Sequence, residues 1–188
     1  MKTTVHIKEK DHLRKLIHKE MNQYGNGCNL NHIDVSKITD LSYMFKNSKF
    51  NGDISKWNVS NVINMTAMFS KSIFNNDIFN WDVSKVNNMS GIFANSIFNK
   101  NISRWNVSNV NYMDLAFFNS KFNQNLEQWK PLKAYIKDMF KNCPAPIPYW
   151  TQFDDSYQRA RAKMSIEIEQ NLQLKLENKL SNKSKVKI

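Results

Sequence analysis

Apolar residues in this chain return at a fixed step. From Phe50 the sequence reads FNGDISKWNVSNVINMTAMFSKSI, then FNNDIFNWDVSKVNNMSGIFANSI, then FNKNISRWNVSNVNYMDLAFFNSK. Trp57, Trp81, Trp105 and Trp129 are each 24 residues apart. Val35, Val59, Val83 and Val107 keep the same step, as do Phe50, Phe74, Phe98 and Phe122. Phe45, Phe69, Phe93 and Phe117 follow it too, and Phe140 arrives one residue early. Between these positions the chain is polar and rich in Asn, Asp and Ser.

Within one copy the apolar letters divide into two patterns. Ile54, Trp57 and Val59 follow L-x-x-L-x-L with β-branched and aromatic types, which predicts a strand. Trp57 and Val59 are two apart and so share a face. Val62, Met65 and Phe69 fall at i, i+3 and i+7, which predicts a short helical stripe. Ser60, repeated as Ser36, Ser84 and Ser108, stands where a helix N-cap would be. Phe74 and its equivalents bring the chain back to the next strand. Asn and Asp crowd the corners, where they tolerate left-handed backbone and bond their own chain. A period of about 20–29 residues marks a leucine-rich-repeat-type solenoid, in which each copy buries its apolar side against its neighbours. The expected class is α/β: a solenoid of about five such repeats.

The recurring pattern F-N-x-D-I-x-x-W-x-V-S-N-V-x-x-M-x-x-M-F resembles the BspA-like leucine-rich repeats of bacterial surface proteins and mycoplasma lipoproteins, over roughly residues 30–143. The resemblance implies a right-handed solenoid and a binding role, and it carries over no catalytic residue. The chain is shorter than a typical member and shows none of the export apparatus of one.

Both flanks differ from the repeats. Residues 2–8 read as a strand. Residues 9–24 read as an amphipathic helix with Leu13, Leu16, Ile17 and Met21 on one side and Gly25 as its stop. A solenoid needs its end face covered, so residues 1–30 are expected to form an N-terminal βα cap on repeats spanning 31–143. Beyond them, CPAPIPYW interrupts the pattern with prolines. Residues 144–188 then hold an amphipathic segment, with Met164, Ile168, Leu172, Leu176 and Leu180 stepping by four, and a basic tail. Alternation in IEIE and LQLKL supports a competing hairpin turning at Gln170 and Asn171. The richness in Glu, Gln, Leu and Lys favours helix.

Composition narrows the chemistry. The 188 residues suit one domain, and 41% hydrophobic content supplies a continuous core. The opening MKTTVHIKEKDHLRKLI has neither the apolar run nor the small-residue site of a signal peptide. No stretch reaches the roughly 18 apolar residues of a membrane span. The expected location is the cytoplasm. Cys28 and Cys143 bracket the repeats, on the order of 20 Å apart if rungs stack at ~4.8 Å, too far for a disulfide. His6, His12, His18 and His32 do not pair at metal-ligand spacing, so no metal or cofactor is expected. No phosphate-loop, dinucleotide or nucleophile-elbow motif is present. Asp53 and Asp77 recur at matching positions, which suits corner-bonding side chains better than an acid/base pair. The chain is not expected to be an enzyme.

Charge is the remaining signal. The net charge is +11. Residues 1–33 carry +3, residues 34–150 carry +5 and residues 151–188 carry +3. Such a field attracts nucleic acid, acidic protein surfaces or anionic membrane. If Ile54, Trp57 and Val59 point inward, one outward column is His32, Lys56, Asn80, Arg104 and Gln128. The next is Asp34, Asn58, Asp82, Asn106 and Lys130. The candidate basic concave face is therefore His32, Lys56, Lys85, Arg104 and Lys130. A second candidate is the C-terminal interaction helix, with Arg159, Arg161, Lys163, Leu172 and Leu176.

Three functions compete. The first is an intracellular, non-catalytic binder of a nucleic-acid-containing or acidic protein target; a phage or mobile-element inhibitor of a host nucleoprotein such as a CRISPR effector is one form of it. The second is an adhesin-like surface module. The third is a self-assembling structural protein that oligomerises through its C-terminal helix.

Overall fold

The computed structural model describes residues 3–131, 133–152, 168 and 170–177. β1 (Val5–His6) leads into α1 (Lys10–Tyr24), and β1 pairs in parallel with β2 (Ile33–Asp34). Leu13 and Ile17 of α1 join the buried core, with Leu16 and Met21 packed against it. Gly25 ends the helix with φ 83°, and its N–H donates to the Met21 carbonyl. The flank therefore has the strand and helix that its apolar spacing predicts. Residues 168 and 170–177 are helical and exposed, as the compositional argument favoured over a hairpin.

The repeats are built differently from the expectation. The Val62, Met65, Phe69 stripe is not a helix. It leads into a run of turns that holds Phe69, repeated at residues 42–47, 66–71, 90–95, 114–119 and 137–142. Backbone N–H groups of Met65, Ala67, Phe69 and Lys71 donate to the carbonyls of Asn88, Ser90, Ile92 and Ala94 in the next copy, at 2.8–2.9 Å. The alternate N–H groups of Met68, Ser70 and Ser72 turn back three residues within the copy. Each run thus sends donors only toward the following copy and receives them only from the preceding one. Parallel bridges link Asp40, Asn64, Asn88, Tyr112 and Tyr135 in order.

This backbone needs left-handed residues at intervals of four. Tyr43 and Asn47, Ala67 and Lys71, Leu115 and Asn119, and Asp138 and Asn142 all have φ between 50° and 59°. Gly91 (φ 61°) and Asn95 hold the same two positions in the middle copy. Ile54–Val59 is not a strand either. Turns at 55–56 and 60–61 are closed by Trp57 N–H to Ile54 and Val62 N–H to Val59.

Side-chain columns fill the interior. Phe45, Phe69, Phe93, Phe117 and Phe140 stack at 5.4–5.7 Å between neighbouring ring centroids. The Phe50 column stacks at 6.1–6.3 Å and the Trp57 column at 6.4–6.5 Å. Each buried indole also donates to the preceding copy: Trp57 to Leu30, Trp81 to Ile54, Trp105 to Ile78 and Trp129 to Ile102. These columns are core, as the apolar register requires, and they supply aromatic contact beyond area burial.

The residue lost from the last copy is placed by its hydrogen bonds. Ala134 still bonds Pro131 as Val110 bonds Val107, whereas Met113 pairs with Tyr135 as Met89 pairs with Tyr112. The shortening therefore falls directly after Ala134. Core packing does not stop at residue 143. Ala145 and Trp150 are buried in the same cluster, and Tyr149–Gln152 forms a 3-10 turn.

Candidate functional site

Up to three corners in a copy are held by Asx turns. Asn29, Asp53, Asp77, Asn101 and Asn125 each accept the N–H two residues on, at 2.7–2.9 Å. Asp34, Asn58, Asp82 and Asn106 do the same for Ser36, Ser60, Ser84 and Ser108. Asp40, Asn64 and Asn88 serve the third corner. The serines read as helix N-caps are thus donors in turns. Asp53 and Asp77 are corner residues, each accepting a backbone N–H.

Four of the corner carboxylates, Asp34, Asp40, Asp53 and Asp82, are lowered from their ordinary value. The Asp82 carboxyl lies below its ordinary value because the Ser84 hydroxyl and N–H donate to it, with Lys85 nearby. Asp34 is lowered by the Ser36 N–H and hydroxyl and then by His6. Burial pushes Asp53 up, but the Ser55 donors, Asn31 and the Lys56 charge outweigh it and the net shift is down.

The expected basic residues do not form one column. His32 is tucked away: its ring lies 3.6 Å from the Glu20 carboxylate of α1, with side-chain exposures of 12% and 11%. Lys56 and Arg104 share the first turn, and the Arg104 guanidinium lies over the Phe79 ring at 5.1 Å. Lys130 takes the place of the second Asx acceptor. Lys85 belongs to the second turn, whose column is Lys37, Asn61, Lys85, Asn109 and Lys133. Its Nζ donates to Asn61 Oδ1 at 2.8 Å. Lys85 and Lys133 line one groove of about 540 Å³ with Ser108 and three asparagines. Exposed cations therefore alternate along the copies: second turn in the first, third and fifth, first turn in the second and fourth. Lys37 and Lys133 were missed by reading only one column; a 24-residue step either way from Lys85 finds both.

The two turns together are close to neutral. Lys37, Lys56, Lys85, Arg104, Lys130 and Lys133 face Asp34, Asp53, Asp77, Asp82 and Glu127 in the same segments. A denser basic face lies on α1. Arg14, Lys15, His18 and Lys19 line a groove of about 700 Å³ with Asn22 and Gln23. Arg14 pairs with Asp11 at 3.1 Å. Among the described residues no carboxylate pairs with Lys15 or Lys19. The apolar spacing of the helix marks its core side, and the letters between, Arg14, Lys15, His18 and Lys19, mark the basic one.

A family model described as "Mycoplasma protein of unknown function, DUF285" matches residues 13–129 and 74–172. The chain belongs to this family. DUF285 is a repeat family related to the BspA-like repeats. No curated protein and no solved structure matches the chain.

Of the C-terminal candidates, Leu172 and Leu176 are exposed and helical. Arg159, Arg161 and Lys163 lie outside the described residues. Among the described residues no helix is long and apolar enough to cross a membrane, and no group of three His, Cys, Asp or Glu is gathered as a metal site would need.

Proposed function

We propose that this member of DUF285 is a non-catalytic binding protein, built as a right-handed leucine-rich-repeat-type solenoid, that engages an anionic partner through its surface cations. The partner class is a nucleic-acid-containing assembly or an acidic protein surface. The observation that carries the reading is the outward side of α1, where Arg14, Lys15, His18 and Lys19 share one groove while the apolar side of the same helix is fixed in the core. The helix is held rigidly, so its cations are presented at little entropic cost. The alternating cations of the turns extend the same capacity along the copies.

Titration with single-stranded RNA at several salt concentrations tests this. Each neutralised phosphate contributes about −0.7 to the slope of log K against log salt. Lys15→Glu with Lys19→Glu should weaken binding and flatten the slope more than the triple reversal of Lys56, Arg104 and Lys130, whose neighbourhood is already balanced by acids. Affinity capture from the native host, with and without nuclease, separates an RNA-bearing partner from an acidic protein. Binding indifferent to salt and to both sets of reversals overturns the reading.

A further inference from the structure

The two ends of the stack are chemically opposite. Because each run of turns donates only toward the following run, the first run's outward row consists of carbonyls and the last run's of N–H groups. At the first copy, α1 covers the end: Lys10 Nζ donates to Asp40 and Ser42, and Ser42 is buried where Thr66, Ser90 and Asp114 are half-buried. At the last copy, the N–H groups of Ile136, Asp138, Phe140 and Asn142 stand where Met113, Leu115, Phe117 and Asn119 donate across a copy boundary. Among the described residues they have no acceptor. A groove of about 570 Å³ runs beside them, lined by Tyr135, Ile136, Phe140, Lys141, Ile147 and Thr151 among others.

Next to this edge the sequence abandons its own scaffold rules. The third-corner acceptors Asp40, Asn64 and Asn88 give way to Tyr112 and Tyr135. No side chain among the described residues then accepts the Asp114 N–H, as Asn88 accepts that of Ser90. The two rings instead stack on each other at 5.7 Å and stay 43% and 66% exposed. Leu115 occupies a left-handed position (φ 59°) with its side chain 42% exposed, where Gly91 sits one copy earlier. A left-handed leucine is a strained choice, and an exposed aromatic pair adds little to folding. Ile147 is 60% exposed in the same groove. The two tyrosine replacements fall in the last two copies, whereas Tyr43 holds the Leu115 position in the first.

We propose that the last copy is a docking edge for an extended segment of a partner protein. The segment lies parallel to residues 135–142 as one more rung. Its backbone carbonyls accept from Ile136, Asp138, Phe140 and Asn142, and its apolar side chains pack on Tyr112, Leu115 and Tyr135. Strand addition of this kind draws affinity from main-chain hydrogen bonds and selectivity from side-chain pockets. Two copies cannot pair through this edge by a two-fold axis, because donors would face donors. Head-to-tail stacking is blocked by α1.

The probe is a synthetic peptide copying residues 87–100 (NNMSGIFANSIFNK), whose carbonyls already accept this donor register from the copy before it within the chain. Hydrogen exchange of the full-length protein is followed across residues 135–142, with a scrambled peptide as control. The expected result is rapid exchange of the four amides in the free protein and slowed exchange with the peptide. Tyr135→Ala should weaken the peptide about tenfold, as loss of an interface aromatic commonly does. Tyr112→Asn restores a corner acceptor, so it should hold or raise thermal stability while weakening the peptide, a split that a merely structural tyrosine would not give. Protection already present in the free monomer means that the chain's own later residues occupy the edge, and overturns the proposal. Protection that rises with protein concentration points to a second copy and overturns it equally. So does an edge that the peptide fails to protect.

Discussion

The indole Nε1 of Trp150 donates to the backbone carbonyl of Leu126 at 3.3 Å. It repeats the bond that Trp129 makes to Ile102 one copy earlier. Trp150 is 21 residues beyond Trp129, not 24, and is reached through a proline-rich segment, yet it takes the position of a further core tryptophan. It packs 6.4 Å from Phe140, the last ring of the phenylalanine column.

Trp150→Ala should therefore destabilise the protein as a core substitution does, by about 3–5 kcal/mol for a buried tryptophan. Trp81→Ala, in a middle copy, should fall in the same range. Chains ending at Gln152 should unfold cooperatively near the full-length midpoint, and chains ending at Cys143 well below it. Urea denaturation of the four variants measures the difference. A Trp150→Ala midpoint equal to the parent's would show that the last copy is held without it.

Gly52 is fixed by close approach. A Cβ there would sit 1.9 Å from the Cys28 carbonyl oxygen and 2.8 Å from the Phe50 ring. The later copies carry Asn76, Lys100 and Gln124 at the equivalent position, so the demand comes from the first copy, where the chain leaves the Gly25–Gly27 loop and runs beside residues 51–53. Gly52→Ala should cost at least the ~1–3 kcal/mol of an overpacked core. Gly27→Ala has open space around its Cβ and should be neutral. Thermal melting of both variants gives the contrast.

The left-handed column offers a substitution of opposite sign. Ala67, at φ 50°, occupies the position that Gly91 fills in the next copy. A left-handed L-residue costs about 1–2 kcal/mol, and glycine's extra unfolded-state entropy returns about 0.5–1 of that. Ala67→Gly should hold or raise the urea midpoint by up to ~1 kcal/mol equivalent. A clear loss would mean that the Ala67 methyl contributes more packing than its backbone strain costs.

What the sequence disclosed and what it hid have separate causes. The columns led by Phe45, Phe50 and Trp57 were legible because burial acts at single positions, and any backbone that repeats every 24 residues must stack them. The corner role of Asp53 was legible for a similar reason, since an Asx turn is a local bond. The conformation between those points was not. Val62, Met65 and Phe69 have helical spacing, but a run of turns with left-handed residues at four-residue intervals also carries them inward. Single letters only half disclose this: Asn47, Asn95, Asn119 and Asn142 suit left-handed backbone, whereas Tyr43, Ala67, Lys71 and Leu115 do not. Among the candidate contacts, His32 shared a column with Lys56 and Arg104, but only the packing of α1 shows that Glu20 covers it. Trp150 was obscured by Pro144, Pro146 and Pro148, which end the repeat in sequence without ending it in space.

Acid should weaken the fold through its corners. Burial pushes the Asp40 carboxyl up, yet the Lys10 ammonium and the Ser42 donors bring it below its ordinary value. Asp34, Asp53 and Asp82 are lowered as well. A depressed folded-state value means that the unfolded chain binds more protons over the interval between the two, so stability rises with pH there. The contribution is complete above the unfolded carboxylate value of about 3.9 and is lost as pH falls through the lower folded values. Urea midpoints should accordingly be level near neutrality and fall below about pH 4. Asp82→Asn separates the charge from the turn. Asn58 and Asn106 already make the same bond to Ser60 and Ser108 in neighbouring copies, so the variant should fold normally and lose less stability on acidification than the parent. An Asp82→Asn protein with an unchanged acid profile would show that the carboxylate contributes through its shape alone, and that acid sensitivity arises at the Lys10–Asp40 contact or elsewhere.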